Sequence, residues 1–576
     1  MNANREKDFP ALLSSGRQFS QLSLSDIKPY FTDLQSRVLS AATLETWMRD
    51  WTTIHSLISE AYSRLHVAMA ADTESEDARR RFHDYVENVY LASRPFETHL
   101  KRKLIGTGLK PESFDRPLEN MKVEAELHRD ENLPLLADEE KLGSEYDKIV
   151  GAQTVVWDGK EITLSKLSTV FQETDREKRE QAWRLASERQ LADRDAINHL
   201  WTKFMPLRQR LAANAGFDAY RDFRWRQMLR FDYSPSDCFR FHEAIEKEVV
   251  PAAAAIYEKR RQRLGLMTLR PWDLDVYPLS RPPLRPFKSA ETLEEKAAAI
   301  FNKVDPELGG YFGVMRKEGL LDLENRKGKA PGGFCTFFAA ARRPFIFMNA
   351  VGLHRDVKTL LHEAGHAFHA FEVSALPYHQ QWRYGMEFAE VASMAMELLG
   401  SQFLAGEGRG FYSAEDAARA RIEHLEKIVL FWPYMAVVDA FQHWVYENHE
   451  TATDPHNCDT KWAELWRRFM PGIDYSGLKA DMATGWHRKL HIHQVPFYYV
   501  EYGLAQLGAI QVWAKSLRDM PGVVAGYRKA LALGAAPLGS LYATAGAEFS
   551  FESAQLKKAV KLILNAMNEL EFHASH

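Results

Sequence analysis

Cysteine is scarce. Cys238, Cys335 and Cys458 are the only three in 576 residues. An odd number at such wide spacing excludes a disulfide framework and a thiolate-rich metal cluster, and it fits a reducing compartment. Long apolar runs are also missing. No stretch approaches the roughly 18 consecutive apolar residues that a membrane helix needs, and the opening MNANREKDFPALLSSGRQFS holds no apolar core of signal-peptide length. Nor is there a surplus of one charge. The formal net charge is -4, with acidic and basic residues interspersed, so neither a nucleic-acid face nor a polybasic membrane tail is expected. Together these absences point to a cytoplasmic protein that engages neither nucleic acid nor membrane.

What the chain does contain suits a large folded protein. With 45% hydrophobic residues it can build a core, and its length favours at least two lobes that each bury their own apolar surface. Helical periodicity dominates. Residues 44 to 105 and 176 to 215 alternate charged and apolar positions at helical spacing and are rich in Ala, Leu, Glu and Arg. In YSPSDCFRFHEAIEKEVV, Ser234, Pro235 and Asp237 read as an N-cap, a first-turn proline and an acidic third position opening a further helix. The exceptions are Asp147 to Leu164 and the region from Phe334 to Asn349, where β-favouring residues predict short strands. Residues 264 to 287 carry too many prolines for a helix and read as an ordered crossing segment. No internal repeat is present.

The chemistry concentrates in TLLHEAGHAFHAFE, Thr359 to Glu372. A helix turns about 100° per residue, so His362 and His366 project from one face with Glu363 beside them. Two imidazoles suit zinc, which acidifies a water, and a neighbouring carboxylate can take that water's proton as it attacks a carbonyl. Two histidines on a helix can also be ordinary hydrogen-bonded groups. The apolar flanks VKTLL and AFHAF favour the metal, because polar groups carried into a buried helix need partners. The third ligand is not the metzincin histidine, since Glu372 stands in its place with no glycine to turn the helix. YGMEFAEVASMAMELLGSQF offers Glu387, Glu390 and Glu397 on a second helix instead.

HEAGHAFH, the FAEVAS that follows it, and HIHQVPFYYVEYGLAQLGA near the C-terminus together resemble the thimet oligopeptidase and oligoendopeptidase F family of zinc peptidases. FRWRQMLRFDYSPSDC and LRPWDLDV extend the resemblance over roughly residues 200 to 565. It implies a mainly α, elongated, two-lobed neurolysin-like fold enclosing a deep channel, with a small β-sheet near the active site. It implies one Zn2+ per chain on His362, His366 and Glu390, with Glu387 the fallback ligand. Glu397 shares the face of Glu390 and can orient a ligand histidine. Glu363 is the implied base. His491, with Tyr502 and then Tyr499, is implied to stabilise the oxyanion. Here the spacing follows the bacterial oligoendopeptidase branch, because the thimet branch has a tyrosine where this chain has Pro496.

The implied substrate is an oligopeptide. An extended peptide can pair with a strand edge near the metal, which places substrate binding at Gly332, Gly333 and Phe334, together with Tyr498. A contiguous division is expected, with residues 1–190 an N-terminal helical lobe and 191–576 the catalytic lobe. The implied activity is a zinc-dependent oligoendopeptidase. The rival readings are a carboxypeptidase or dipeptidyl carboxypeptidase on the same scaffold, and a non-catalytic peptide-binding protein with structural zinc. Oligomeric state leaves no mark in the sequence.

Overall fold

Trp47, Trp51, Ile54, Ile58, Ala61 and Leu65 recur every three or four residues and are all buried along the helix Leu44–Ala71. Such amphipathic helices dominate the computed structural model, which describes residues 16–279, 281–330, 332–406 and 410–575. The reading of the first residues therefore lies outside the described residues. The expected helix over 44 to 105 is realised as Leu44–Ala71, Glu76–Tyr85 and Ala92–Thr107, joined through the π-helical turn Val86–Leu91. The stretch 176 to 215 forms Arg176–Ala192 and Arg194–Asn214. Ser234 caps Pro235–Glu248 in a capping box with Asp237, as its sequence predicts.

The described residues form two compact units. One takes in the described residues up to Glu126, with Arg285–Ala417 and Gly508–Phe549; the other takes in Leu127–Leu284, Ala418–Leu507 and the described residues from Ser550 onward. This partition differs from a contiguous division at 190/191, because each unit is assembled from three separated stretches.

In the first unit, a three-stranded sheet has Arg343–Ala350 at its centre, antiparallel to Phe334–Phe338 and parallel to Leu321–Glu324. The hairpin is the one predicted, whereas the parallel strand Leu321–Glu324 is an addition. Lys329 ties the sheet together: its buried ammonium donates to the carbonyls of Asp322, Glu324 and Met348 and to the Asp322 carboxylate. The helices His354–Val373 and Met386–Ser401 pack against one another, and the first also lies on the sheet. A separate apolar core forms around Trp47, Trp51, Phe31 and Leu100.

In the second unit, the strands of Asp147 to Leu164 shrink to a hairpin, Thr154–Trp157 with Lys160–Thr163. Asp158 and Gly159 both take positive φ at its turn, which suits a two-residue Asp-Gly connection. Residues 147 to 151 instead finish the helix Asn132–Gly151, because Leu142 and Tyr146 keep the apolar face helical. The described part of 264–287 holds only the 3₁₀ turn Pro271–Asp273, as its prolines dictate. No helix among the described residues is long and apolar enough to cross a membrane.

Candidate active site

Gly365 sets the geometry of the site. A Cβ added there would lie 2.6 Å from the Ala392 carbonyl oxygen and 2.6 Å from the Ser393 Cα, so glycine lets the motif helix and Met386–Ser401 approach backbone to backbone. That contact brings Glu390 over the two histidines. Its Oε2 lies 3.5 Å from Nε2 of His362 and 3.8 Å from Nε2 of His366. One ligand atom from each of the three residues falls within 4.8 Å of the others. The two imidazole planes are 82° apart, so their nitrogens converge on one point instead of stacking.

Neighbouring groups hold this constellation. The Ser393 hydroxyl donates to Glu390 Oε2 at 3.1 Å. Glu397 Oε1 lies 2.6 Å from Nδ1 of His362, and Lys358 Nζ is 3.4 Å from the other Glu397 oxygen. Two nitrogens and a carboxylate oxygen suit a borderline divalent ion such as zinc, and a ligand histidine ordinarily gives its second nitrogen to a carboxylate in this way. The residues present therefore fit the metal. Glu387, although buried, is not in the cluster.

Glu363 is buried beside the histidines. Burial pushes its pKa up to about 7, opposed by His362 and by the backbone N–H of Cys335 and reinforced by Glu390 and Glu397. Burial works against protonation of His362, but the hydrogen bond to Glu397 and the surrounding carboxylates outweigh it and raise its pKa to about 9. Burial and the neighbouring His362 hold His366 well below its ordinary value. His369, one turn further on, is fully buried against Tyr384 with ring centroids 3.6 Å apart, and burial lowers its pKa to about 3. It is a neutral core group.

The strand Phe334–Phe338 is an edge of its sheet. Gly332 takes φ +95° where its carbonyl accepts from Asn349 Nδ2 at 3.0 Å, and a Cβ added at Gly333 would meet Met348 at 3.4 Å and Thr359 at 3.5 Å. Phe334 stacks on Phe347 at 4.8 Å. The Cys335 N–H faces the Glu363 carboxylate and pulls its pKa down, a link between edge strand and motif helix that carries no sequence signature.

His491 and the three tyrosines gather in the second unit. The His491 ring lies 5.0 Å from Tyr499 and 5.8 Å from both Tyr498 and Tyr502. The neighbouring His493 is a core residue, fully buried and stacked on Tyr146 and Trp486. The helix that carries Tyr499 and Tyr502 begins at Tyr499, three residues after Pro496. Phe497 takes φ +67°, and its N–H and carbonyl are held by Gln442 and Arg230, which keeps that turn out of the helix.

Comparison with known proteins gives the family. The model of peptidase family M3 matches residues 169–557. PZ peptidase A with inhibitor 2 superposes with a TM-score of 0.87 at 26% identity, over 95% of this chain and 98% of that one. An oligoendopeptidase-F structure from Enterococcus faecium has a TM-score of 0.62 at 15% identity over 97% and 99% of the two chains, a likeness of fold. Among curated proteins, the oligoendopeptidase F homolog of Borreliella burgdorferi is 24% identical over 305 residues, 52% of this chain and 50% of that protein. Oligopeptidase PepF of Bacillus subtilis is 29% identical over 136 residues, 23% of this chain and 20% of its own. These matches thus span half or less of either curated relative. The chain belongs to peptidase family M3.

Proposed function

We propose that this chain is a zinc-dependent oligoendopeptidase that cuts internal bonds of short, unstructured peptides in the cytoplasm. The observation that carries the reading is the convergence of His362, His366 and Glu390 with Glu363 alongside. When bound there, zinc polarises the scissile carbonyl and lowers the pKa of a water. Glu363 takes the proton of the attacking water and returns it to the leaving amine, a task suited to a carboxyl whose pKa burial has raised toward neutrality. Ser393 and Glu397 hold Glu390 and His362 in position.

His491, Tyr502 and Tyr499 are assigned to the oxyanion. Burial, aided by Lys489, lowers the His491 pKa to about 4, so the ring is neutral at working pH and keeps one N–H to donate. Burial likewise keeps Tyr499 protonated. Gly332, Gly333 and Phe334, with Tyr498, are assigned to the peptide backbone, because an edge strand reads main chain and tolerates many side chains.

The test is cleavage of an internally quenched peptide blocked at both termini, before and after chelation. Internal cuts that stop on chelation and return with zinc are the expected result. Glu363→Gln should lose turnover while retaining zinc; substantial residual activity in that variant overturns the assignment of the base. Release of C-terminal fragments from free peptides only would replace the reading with a carboxypeptidase.

A further inference from the structure

In the second unit, two helices each carry a pair of metal-ligating side chains four residues apart. Cys238 and His242 lie on Pro235–Glu248, and Asp439 and His443 lie on Ala414–Glu447. A four-residue interval puts both members of a pair on one helix face. All four side chains are buried, His242 being the most accessible at 4%. Asp439 Oδ2 is 2.8 Å from Nε2 of His242 and 3.4 Å from Nε2 of His443. One ligand atom from each of Cys238, Asp439 and His443 lies within 4.8 Å of the others. Tetrahedral zinc sets its nitrogen, oxygen and sulfur ligands about 3.3 to 3.6 Å apart, so shifts of about an ångström bring the group to coordination spacing.

Two atoms of this cluster face no protein partner. Among the described residues, Nδ1 of His443 and Oδ1 of Asp439 are buried with no hydrogen-bond partner, while Nε2 of His443 meets only the Asp439 carboxylate at 3.4 Å, a costly condition at a buried site. The site is dry because Phe239, Phe497 and Trp225 surround His443 with ring centroids 4.8, 5.1 and 5.9 Å away. Charge points the same way. A thiolate and a carboxylate neutralise a dication, and the neutral imidazole of His443 adds a third ligand.

We propose that Cys238, Asp439 and His443 bind a second divalent ion of the zinc class, separate from the His362 site, with His242 holding the Asp439 carboxylate from the side at 2.8 Å. The thiolate and imidazole select zinc-like ions over magnesium or calcium. The three ligands come from two helices, so this ion clamps them together.

The full-length protein, purified from zinc-supplemented medium, should hold two equivalents of zinc by elemental analysis. His362→Ala combined with His366→Ala should leave one. Replacement by cobalt(II) supplies a signature that needs no variant: a thiolate-to-cobalt charge-transfer band in the near ultraviolet, because the other cluster contains no sulfur. The band should persist in the His362/His366 double variant and in Cys335→Ser, and disappear in Cys238→Ser. A cobalt-loaded wild type without the band, or a band lost in Cys335→Ser and kept in Cys238→Ser, overturns the proposal.

Discussion

Glu397 holds His362 from behind: its Oε1 lies 2.6 Å from Nδ1, while Nε2 of the same ring faces Glu390 at 3.5 Å. The carboxylate fixes which ring nitrogen carries the proton and which is left to bind an ion. Glu397→Gln should weaken zinc binding by about 10–100-fold and lower the melting temperature of the metal-free protein at neutral pH, because it breaks the buried pair with His362. Titration against a competing chelator measures the first quantity and calorimetry the second.

The same contact makes zinc affinity depend on pH. With its pKa raised to about 9, His362 is protonated at neutral pH in the metal-free protein, and it must lose that proton to become a ligand. A proton that competes with the ion lowers affinity below the pKa, so affinity should climb about tenfold per pH unit from neutrality and level off near pH 9. In Glu397→Gln the largest raising interaction is gone while Glu390 and Glu363 remain, so the His362 pKa should fall and the climb should level off at a lower pH than in the wild type. A slope persisting in the variant as far as in the wild type would show that another group supplies the proton.

The parts of this site that could be read from sequence are those fixed by helical spacing. His362, Glu363 and His366 lie within one turn, and Glu390 and Glu397 lie two turns apart on the second helix. The strand pair Phe334–Phe338 and Arg343–Ala350 was legible because β-favouring runs flank a short turn. Leu321–Glu324 was not, because four residues are too few to show a period and its parallel partner is the far strand of the hairpin, Arg343–Ala350. The approach of the Cys335 N–H to the Glu363 carboxylate depends on main chain on the strand side, which leaves no mark in the sequence. The pairing of Cys238 and His242 with Asp439 and His443 joins segments that only tertiary packing brings together. Gly365 stood in plain view within HEAGH, but its reason, the closeness of Ser393, belongs to the neighbouring helix.

Gly365→Ala sets two effects of opposite sign against each other. Alanine favours a helix interior by about 1 kcal/mol over glycine. Here its Cβ would meet backbone atoms of Ala392 and Ser393 at 2.6 Å, and backbone has no rotamer through which to yield. Overpacking of this kind costs about 1–3 kcal/mol. Net destabilisation is expected, together with weaker zinc binding, because the helix that moves away carries Glu390. A melting temperature at or above wild type would show that the helices separate without cost.

Asp273 provides a stability test away from both metal clusters. It is fully buried and accepts from Arg176 at 2.9 Å, from Arg179 at 3.1 Å and from the Arg270 N–H at 3.0 Å. Asp273→Ala would leave the buried Arg179 guanidinium without its counter-charge, and breaking a buried pair from one side costs about 3–5 kcal/mol. Arg179 keeps hydrogen bonds to the carbonyls of Glu173, Thr174 and Trp272, and Arg176 is partly exposed, so the lower end of that range is expected. Asp273→Asn, which keeps an acceptor but loses the charge, should fall between the two. Urea unfolding followed by tryptophan fluorescence reports it directly, since Trp272 adjoins the pair and Arg176 lies 5.9 Å from its ring. A midpoint for Asp273→Ala equal to wild type would mean that water reaches Arg179 and replaces the carboxylate.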